Sequence, residues 1–181
     1  MPQVFVAAGS NIEPERNLAL AARELQREFP DVRFSRWYRN QAAGFEGDDF
    51  INFVAGFTTA LPIEEVVARL RRIEALCGRP REAPKWAPRS MDLDLLLYGD
   101  LVQKTAERTL PRPDLLKRAY MLGPLADIAP DLVHPTEKLT VRELWERFDR
   151  AAHPLHPVPA HTFDEATSPR SDPHPPQGSD P

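Results

Sequence analysis

Cysteine is nearly absent: Cys77 is the only one in 181 residues. That excludes an intramolecular disulfide and any cysteine-rich zinc site. Such usage fits a reducing compartment, so a cytoplasmic location is expected. Nowhere do 18 apolar residues follow one another, so no membrane span is expected. The opening MPQVFVAAGSN lacks the basic head and long apolar stretch of a signal peptide. Nor is there an excess of one charge sign; a formal net charge of -4 gives no general attraction to nucleic acid or anionic membrane. Histidine is scarce where a general base would be sought. Before Ala151 only His134 occurs, beside Pro135, in the setting of an ordinary turn residue.

Proline, by contrast, is abundant at 20 residues, and eight of these follow Arg150 in AAHPLHPVPAHTFDEATSPRSDPHPPQGSDP. That segment has little to bury beyond Leu155, Val158 and Phe163 and shows no period, which predicts a mostly disordered tail over residues 151–181. Its histidines, His153, His156, His161 and His174, are separated by prolines that break helical ligand spacing, so a passive tail is preferred to a metal site. Residues 1–150 remain as one domain of ordinary size, and with 41% hydrophobic residues overall the chain has the material for a core.

Within that domain the pattern alternates between short apolar runs and helical stripes. Val4–Ala8 reads as a strand running into Gly9-Ser10-Asn11. Leu18, Ala21, Ala22, Leu25 and Phe29 recur at three and four residues, one face of a helix entered near Pro14. Val32–Tyr38 alternates as a strand with Val32, Phe34 and Arg36 on one side, and Phe50–Thr59 forms a longer one. Pro62 opens a second helix carrying Ile63, Val66, Val67, Leu70, Ile73 and Cys77, stopped by Gly78. Asp92–Tyr98 is a further strand closed by Gly99-Asp100. Helices are expected over Lys117–Ile128 and from Val141 to Phe148, the latter with Thr140 and Glu143 placed as a capping box. The order β-α-β-β-α-β followed by helices predicts an α+β protein, a ferredoxin-like three-layer α-β-α sandwich.

The stretch WAPRSMDLDLLLY holds the chemistry. Alternation along a strand points Asp92 and Asp94 to one side and Leu93 to the other. Two carboxylates so close repel, and burial worsens it, unless something neutralises them. Oxygen ligands at this spacing suit Mg²⁺, which takes one or two carboxylates and completes its shell with water and phosphate oxygens. Taken alone, D-x-D is common and reads first as a solvated strand start. The preceding GRPREAPKWAPRSM adds Arg79, Arg81, Lys85 and Arg89 against only Glu82. A cationic, proline-stiffened loop leading into two acids fits a metal–polyphosphate site, and Trp86 there fits a lid on a flat ligand better than a core residue. Phe50 and Asn52 share one side of their strand by the same alternation.

These residues resemble the signature of the 6-hydroxymethyl-7,8-dihydropterin pyrophosphokinase family. The resemblance extends to Gly9-Ser10-Asn11, Phe50-Ile51-Asn52, Arg72-Ile73-Glu74, Gly78-Arg79, Arg118-Ala119-Tyr120-Met121-Leu122, Pro124-Leu125 and Ile128-Ala129-Pro130. It implies a folate-pathway enzyme that moves a pyrophosphoryl unit from ATP to the pterin's hydroxymethyl oxygen, leaving AMP. By position it implies catalytic roles for Asp92, Asp94, Arg79 and Arg89, with Asp92 and Asp94 holding two Mg²⁺ ions. It places nucleotide contacts at Glu74, Arg81, Leu95, Thr109, Arg112 and Arg118. Pterin contacts fall to Asn40, Ala42, Ala43, Phe50, Asn52, Trp86 and Tyr120, with Phe50 and Tyr120 sandwiching the ring. It implies ATP and the pterin as small-molecule partners, no nucleic acid or membrane partner, and a monomer.

Three positions depart from the family pattern. Arg112 stands where histidine is usual after the proline, Asn40-Gln41-Ala42-Ala43 replaces the usual threonine and proline, and the aromatic pair is exchanged as Phe50 and Tyr120. They motivate an alternative, a low-activity paralogue that binds ATP or pterin as a regulatory protein. An RNA-binding ferredoxin-like module is disfavoured by the near-neutral charge and by acids that would repel phosphate without metal.

Overall fold

The computed structural model describes residues 1–41, 49–77 and 91–159. β1 (Gln3–Ser10) is buried along nearly its whole length, because both of its faces are covered. It pairs antiparallel with β4 (Phe50–Thr58) on one side and β5 (Asp92–Tyr98) on the other. β3 (Tyr38–Asn40) pairs with the far edge of β4, and β2 (Arg33–Phe34) with the same strand further along. The sheet runs β5-β1-β4-β3 and ends in β8 (His156–Pro157). A separate hairpin joins β6 (Gln103–Lys104) to β7 (Thr109–Leu110).

Side-chain alternation divides the core in two. Val4, Val6 and Ala8 of β1, Ile51, Phe53, Ala55 and Phe57 of β4, and Leu93 and Leu95 of β5 pack on one face. They meet Leu18, Ala21 and Leu25 of α1 (Pro14–Glu28) and Val66, Leu70 and Ile73 of α2 (Ile63–Leu76). The opposite face gathers Phe5, Ala7, Val54, Leu96 and Leu97 against Met121, Leu122 and Leu125 of α3 (Ala119–Ile128) and Val141 of α4 (Val141–Arg147). α1 starts with Pro14 in its first turn, where the missing N–H is no loss. α4 carries the expected capping box of Thr140 and Glu143. Gly99 ends β5 at a φ of 55°, a left-handed turn conformation that glycine adopts without strain. Among the described residues no helix is long and apolar enough to cross a membrane.

Two expectations are corrected. Val32–Tyr38 is not one strand but two short ones, β2 and β3. Between them the Ser35 N–H donates to the Val54 carbonyl at 2.8 Å while its hydroxyl accepts from the Val54 N–H at 2.9 Å. A side chain thus takes a ladder position and turns the backbone aside. The phase shifts as a result: Arg36 is exposed, Trp37 joins the α1/α2 core, and Tyr38 faces α3, its hydroxyl donating to Asp127 at 2.6 Å. The helix expected from Lys117 begins at Ala119, after a 3₁₀ turn over Pro113–Leu116.

The sheet also continues beyond Arg150. Tyr38 and Arg39 pair with Pro157 and His156 of β8, and the Val158 N–H donates to the Trp37 carbonyl at 2.9 Å. Val158 is only 7% exposed. Composition could not show this, since two backbone pairs and one valine suffice to dock an otherwise polar segment. Residues 160–181, including His161 and His174, lie outside the described residues.

Candidate active site

α3 does not cover the whole of its sheet face. Where its first turn ends, β1 contributes Ala7, Ala8 and Gly9, and these small residues leave a cavity of about 310 Å³. Strand register assembles its wall. Gly9 stands opposite both Asn52 of β4 and Asp92 of β5, and Ala7 stands opposite Asp94. Asn40 of β3 stands opposite Phe50 of β4. Arg118, the residue before α3, closes the rim with Tyr120 and Met121. One cavity therefore gathers Asp92, Asp94, Asn40, Phe50, Asn52, Arg118 and Tyr120, all singled out from the sequence.

Gly9 has a steric reason to be glycine. A Cβ there would lie 2.5 Å from the Asn52 Oδ1, so the bare backbone lets the amide cross β1. The Asn52 side-chain NH₂ donates to the Asn40 Oδ1, coupling β4 to β3 at the cavity wall. Such an amide pair beside Phe50 and Tyr120 offers donors, acceptors and ring faces to a flat polar heterocycle.

The acidic side is electrostatically loaded. Burial pushes the Asp94 carboxyl above its ordinary value; Arg112 opposes this, and Asp92 pushes it up further. The Arg112 Nη2 lies 3.7 Å from the Asp94 Oδ1, and its Nε lies 3.4 Å from the Asp114 Oδ2. Burial also raises the Tyr120 phenol, which therefore stays protonated at neutral pH. Two adjacent carboxylates opening on a cavity fit a hard divalent cation that takes few protein ligands. Among the described residues no cluster of three or more histidine, cysteine or acidic side chains exists, so a closed protein cage is not what this donor set builds.

Behind the acids, α2 fixes β5. The Glu74 Oε1 accepts from the Leu93 N–H at 2.8 Å and from the Arg71 Nη1 at 2.5 Å. Arg71 also donates to the Leu93 carbonyl at 3.3 Å. The backbone between Asp92 and Asp94 is thus clamped from the opposite face.

Several positions implied for the nucleotide do not line this cavity. Glu74 is 8% exposed and faces the β5 backbone rather than the cavity. Leu95 points to the face opposite the acids, within the α1/α2 core. Thr109 lies in β7, half-buried and away from the cavity lining. Arg112 reaches the site through Asp94. Arg79, Arg81, Trp86 and Arg89, with Ala42 and Ala43, lie outside the described residues. Arg71 and Asp114 were missed. The i,i+3 spacing of Arg71 and Glu74 was a usable signal, whereas nothing local ties Asp114 to Asp94. His134 is a turn residue as expected, but a buried one; its Nδ1 accepts from the Thr136 and Glu137 N–H groups.

The fold is α+β and its cavity sets a carboxylate pair beside two asparagine amides and two aromatic rings, and comparison with known proteins gives the class of enzyme. The family model described as 7,8-dihydro-6-hydroxymethylpterin-pyrophosphokinase (HPPK) matches residues 5–130. The 2-amino-4-hydroxy-6-hydroxymethyldihydropteridine pyrophosphokinase of Aquifex aeolicus (strain VF5) is 35% identical over 145 residues, covering 79% of this chain and 90% of that protein. Its namesake from Synechocystis sp. is 39% identical over 150 residues, covering 81% and 76%. Among solved structures, a triple mutant of Plasmodium falciparum HPPK-DHPS superposes with a TM-score of 0.64 at 11% identity over 81% of this chain. The wild-type protein gives 0.60 at 12% identity over 81%. At such identity these support the fold alone, and the chain spans only 43% of either solved chain. The chain belongs to the 7,8-dihydro-6-hydroxymethylpterin-pyrophosphokinase family, whose members are pyrophosphoryl-transferring enzymes of folate biosynthesis.

Proposed function

We propose that the family's reaction, pyrophosphorylation of 6-hydroxymethyl-7,8-dihydropterin with ATP as donor and AMP as by-product, takes place in the cavity between β1, β4, β5 and α3. Asn40 and Asn52 read the amide-like edge of the pterin, and Phe50 and Tyr120 hold its ring. Asp92 and Asp94 hold magnesium, two ions being expected. Magnesium supplies neutralisation of the triphosphate and a lower pKa for the acceptor hydroxyl. Arg118 and Arg112 extend positive charge along the phosphates, joined by Arg79, Arg81 and Arg89. Trp86, Ala42 and Ala43 complete the pterin side. Pyrophosphoryl transfer asks for positioning and charge neutralisation more than for covalent help. No histidine is therefore assigned a catalytic part.

What carries this reading is the convergence of Asp92, Asp94, Asn52, Phe50 and Tyr120 on one cavity from three separate elements. The sheet order β5-β1-β4-β3, antiparallel throughout, supports the finer ferredoxin-like assignment. A monomer in the cytoplasm completes the proposal.

Purified protein mixed with ATP, Mg²⁺ and hydroxymethyldihydropterin is expected to yield AMP and the pterin diphosphate. ADP as product, or no nucleotide product, overturns the reading. Asp92→Ala and Asp94→Ala are each expected to lower turnover by about a hundredfold or more with the fold intact by circular dichroism.

A further inference from the structure

We propose that Arg112 is a displaceable counter-ion of Asp94, and that it sets how tightly the carboxylate pair takes a divalent cation before nucleotide arrives. This deepens the assignment of Asp92 and Asp94 as cation ligands and rests on it.

Among the described residues the guanidinium is held by charge and not by hydrogen bonds. Its two acidic neighbours stand 3.7 Å and 3.4 Å away, and its buried Nε has no hydrogen-bond partner among the described residues. A buried donor left without an acceptor is an unfavourable arrangement, so little is lost when the head group moves. Arg108 shows the contrast within the same chain: its two terminal nitrogens donate to the two Glu64 oxygens at 2.8 and 2.9 Å. Such a fork resists exchange; the Arg112 contacts do not.

The anchor of the side chain is nevertheless firm. The Arg112 N–H donates to the carbonyl of Leu96, two residues along β5 from Asp94, at 2.9 Å. The head group therefore swings from a fixed root next to the site. The Arg112 side chain is 35% exposed and that of Asp94 28% exposed, which leaves room to withdraw. A cation arriving at the Asp94 oxygens competes with the guanidinium for the same charge. The displaced Arg112, still paired with Asp114, is then free for phosphate oxygens brought in with the metal. Arg112 is thus a positioning residue that trades intrinsic cation affinity for dependence on the nucleotide.

Mn²⁺ alone, titrated onto the full chain and followed by loss of the free-ion paramagnetic resonance signal, tests the idea without turnover. Arg112→Gln is expected to bind Mn²⁺ about tenfold more tightly than the unaltered chain, the scale of one neighbouring charge in a partly solvated site. Arg112→Lys, which keeps the charge, is expected to stay near the unaltered value. Arg112→His, measured at pH 8 where imidazole is mostly neutral, is expected to tighten as well and serves if the glutamine variant fails to fold. Unchanged, weaker or undetectable Mn²⁺ binding by the neutral variants, with binding still lost in Asp94→Asn, overturns the counter-ion role alone. Mn²⁺ binding that survives Asp94→Asn overturns the cation-site reading beneath it.

Discussion

Asp94 illustrates how a single residue is held for function at the expense of the resting fold. Its carboxyl stands above its ordinary pKa because burial disfavours the charge, with Arg112 only partly offsetting this. A raised carboxyl pKa means that the folded state holds this proton more tightly than the unfolded chain does. The penalty for ionisation is therefore present at neutral pH and is relieved as pH falls through the folded-state value. Asp94→Asn removes the charge and keeps the shape. It is expected to raise the thermal midpoint of the ligand-free protein by a few degrees, about 1 kcal/mol, while abolishing turnover. A lower midpoint for the variant would contradict this account. Period-two alternation made the Asp92/Asp94 pair visible in the sequence. The Arg112 contact was invisible, because it forms only when the chain returns to β5 after the β6–β7 hairpin.

At the scale of elements, α2 does more than cover the sheet. Glu74 and Arg71 reach from its inner side to both backbone groups of Leu93 and so set the height of the flanking aspartates. Glu74→Ala strands the buried Leu93 N–H and removes the partner of the half-exposed Arg71 guanidinium. It is expected to destabilise the protein by about 2–3 kcal/mol in chemical denaturation. Glu74→Gln retains an acceptor for Leu93 and is expected to lose less than half of that. Equal losses for both variants would point to the charge and not to the backbone bond. The resemblance to the family put Glu74 at the nucleotide, and in the structure its carboxylate faces the strand beneath. The helix itself, with its stripe of Val66, Leu70 and Ile73, was legible from spacing alone. The break at Ser35 was not, because a serine hydroxyl standing in for a strand carbonyl leaves no periodic trace.

The whole molecule depends on its edges. β8 covers the outer edge of β3, the strand that ends in Asn40 at the cavity wall. A chain ending after Arg150 loses this pairing and the burial of Val158. It is expected to be about 2 kcal/mol less stable than the full chain and to bind pterin more weakly, whereas a chain ending after Pro159 is expected to match it. Thermal unfolding and pterin titration of the two truncations decide the matter, and identical midpoints would refute a structural role for β8. By itself the sequence determined the α+β class, the helices and long strands, and the chemical types gathered at the site. Those are consequences of periodicity and of residue chemistry, which act locally. Only the tertiary structure decided which faces meet: Leu95 inward and Asp94 outward, Glu74 beneath the strand, Arg112 beside Asp94, and β8 against β3. Pairings between distant segments follow from register and packing of the folded chain, and neither is written in local spacing.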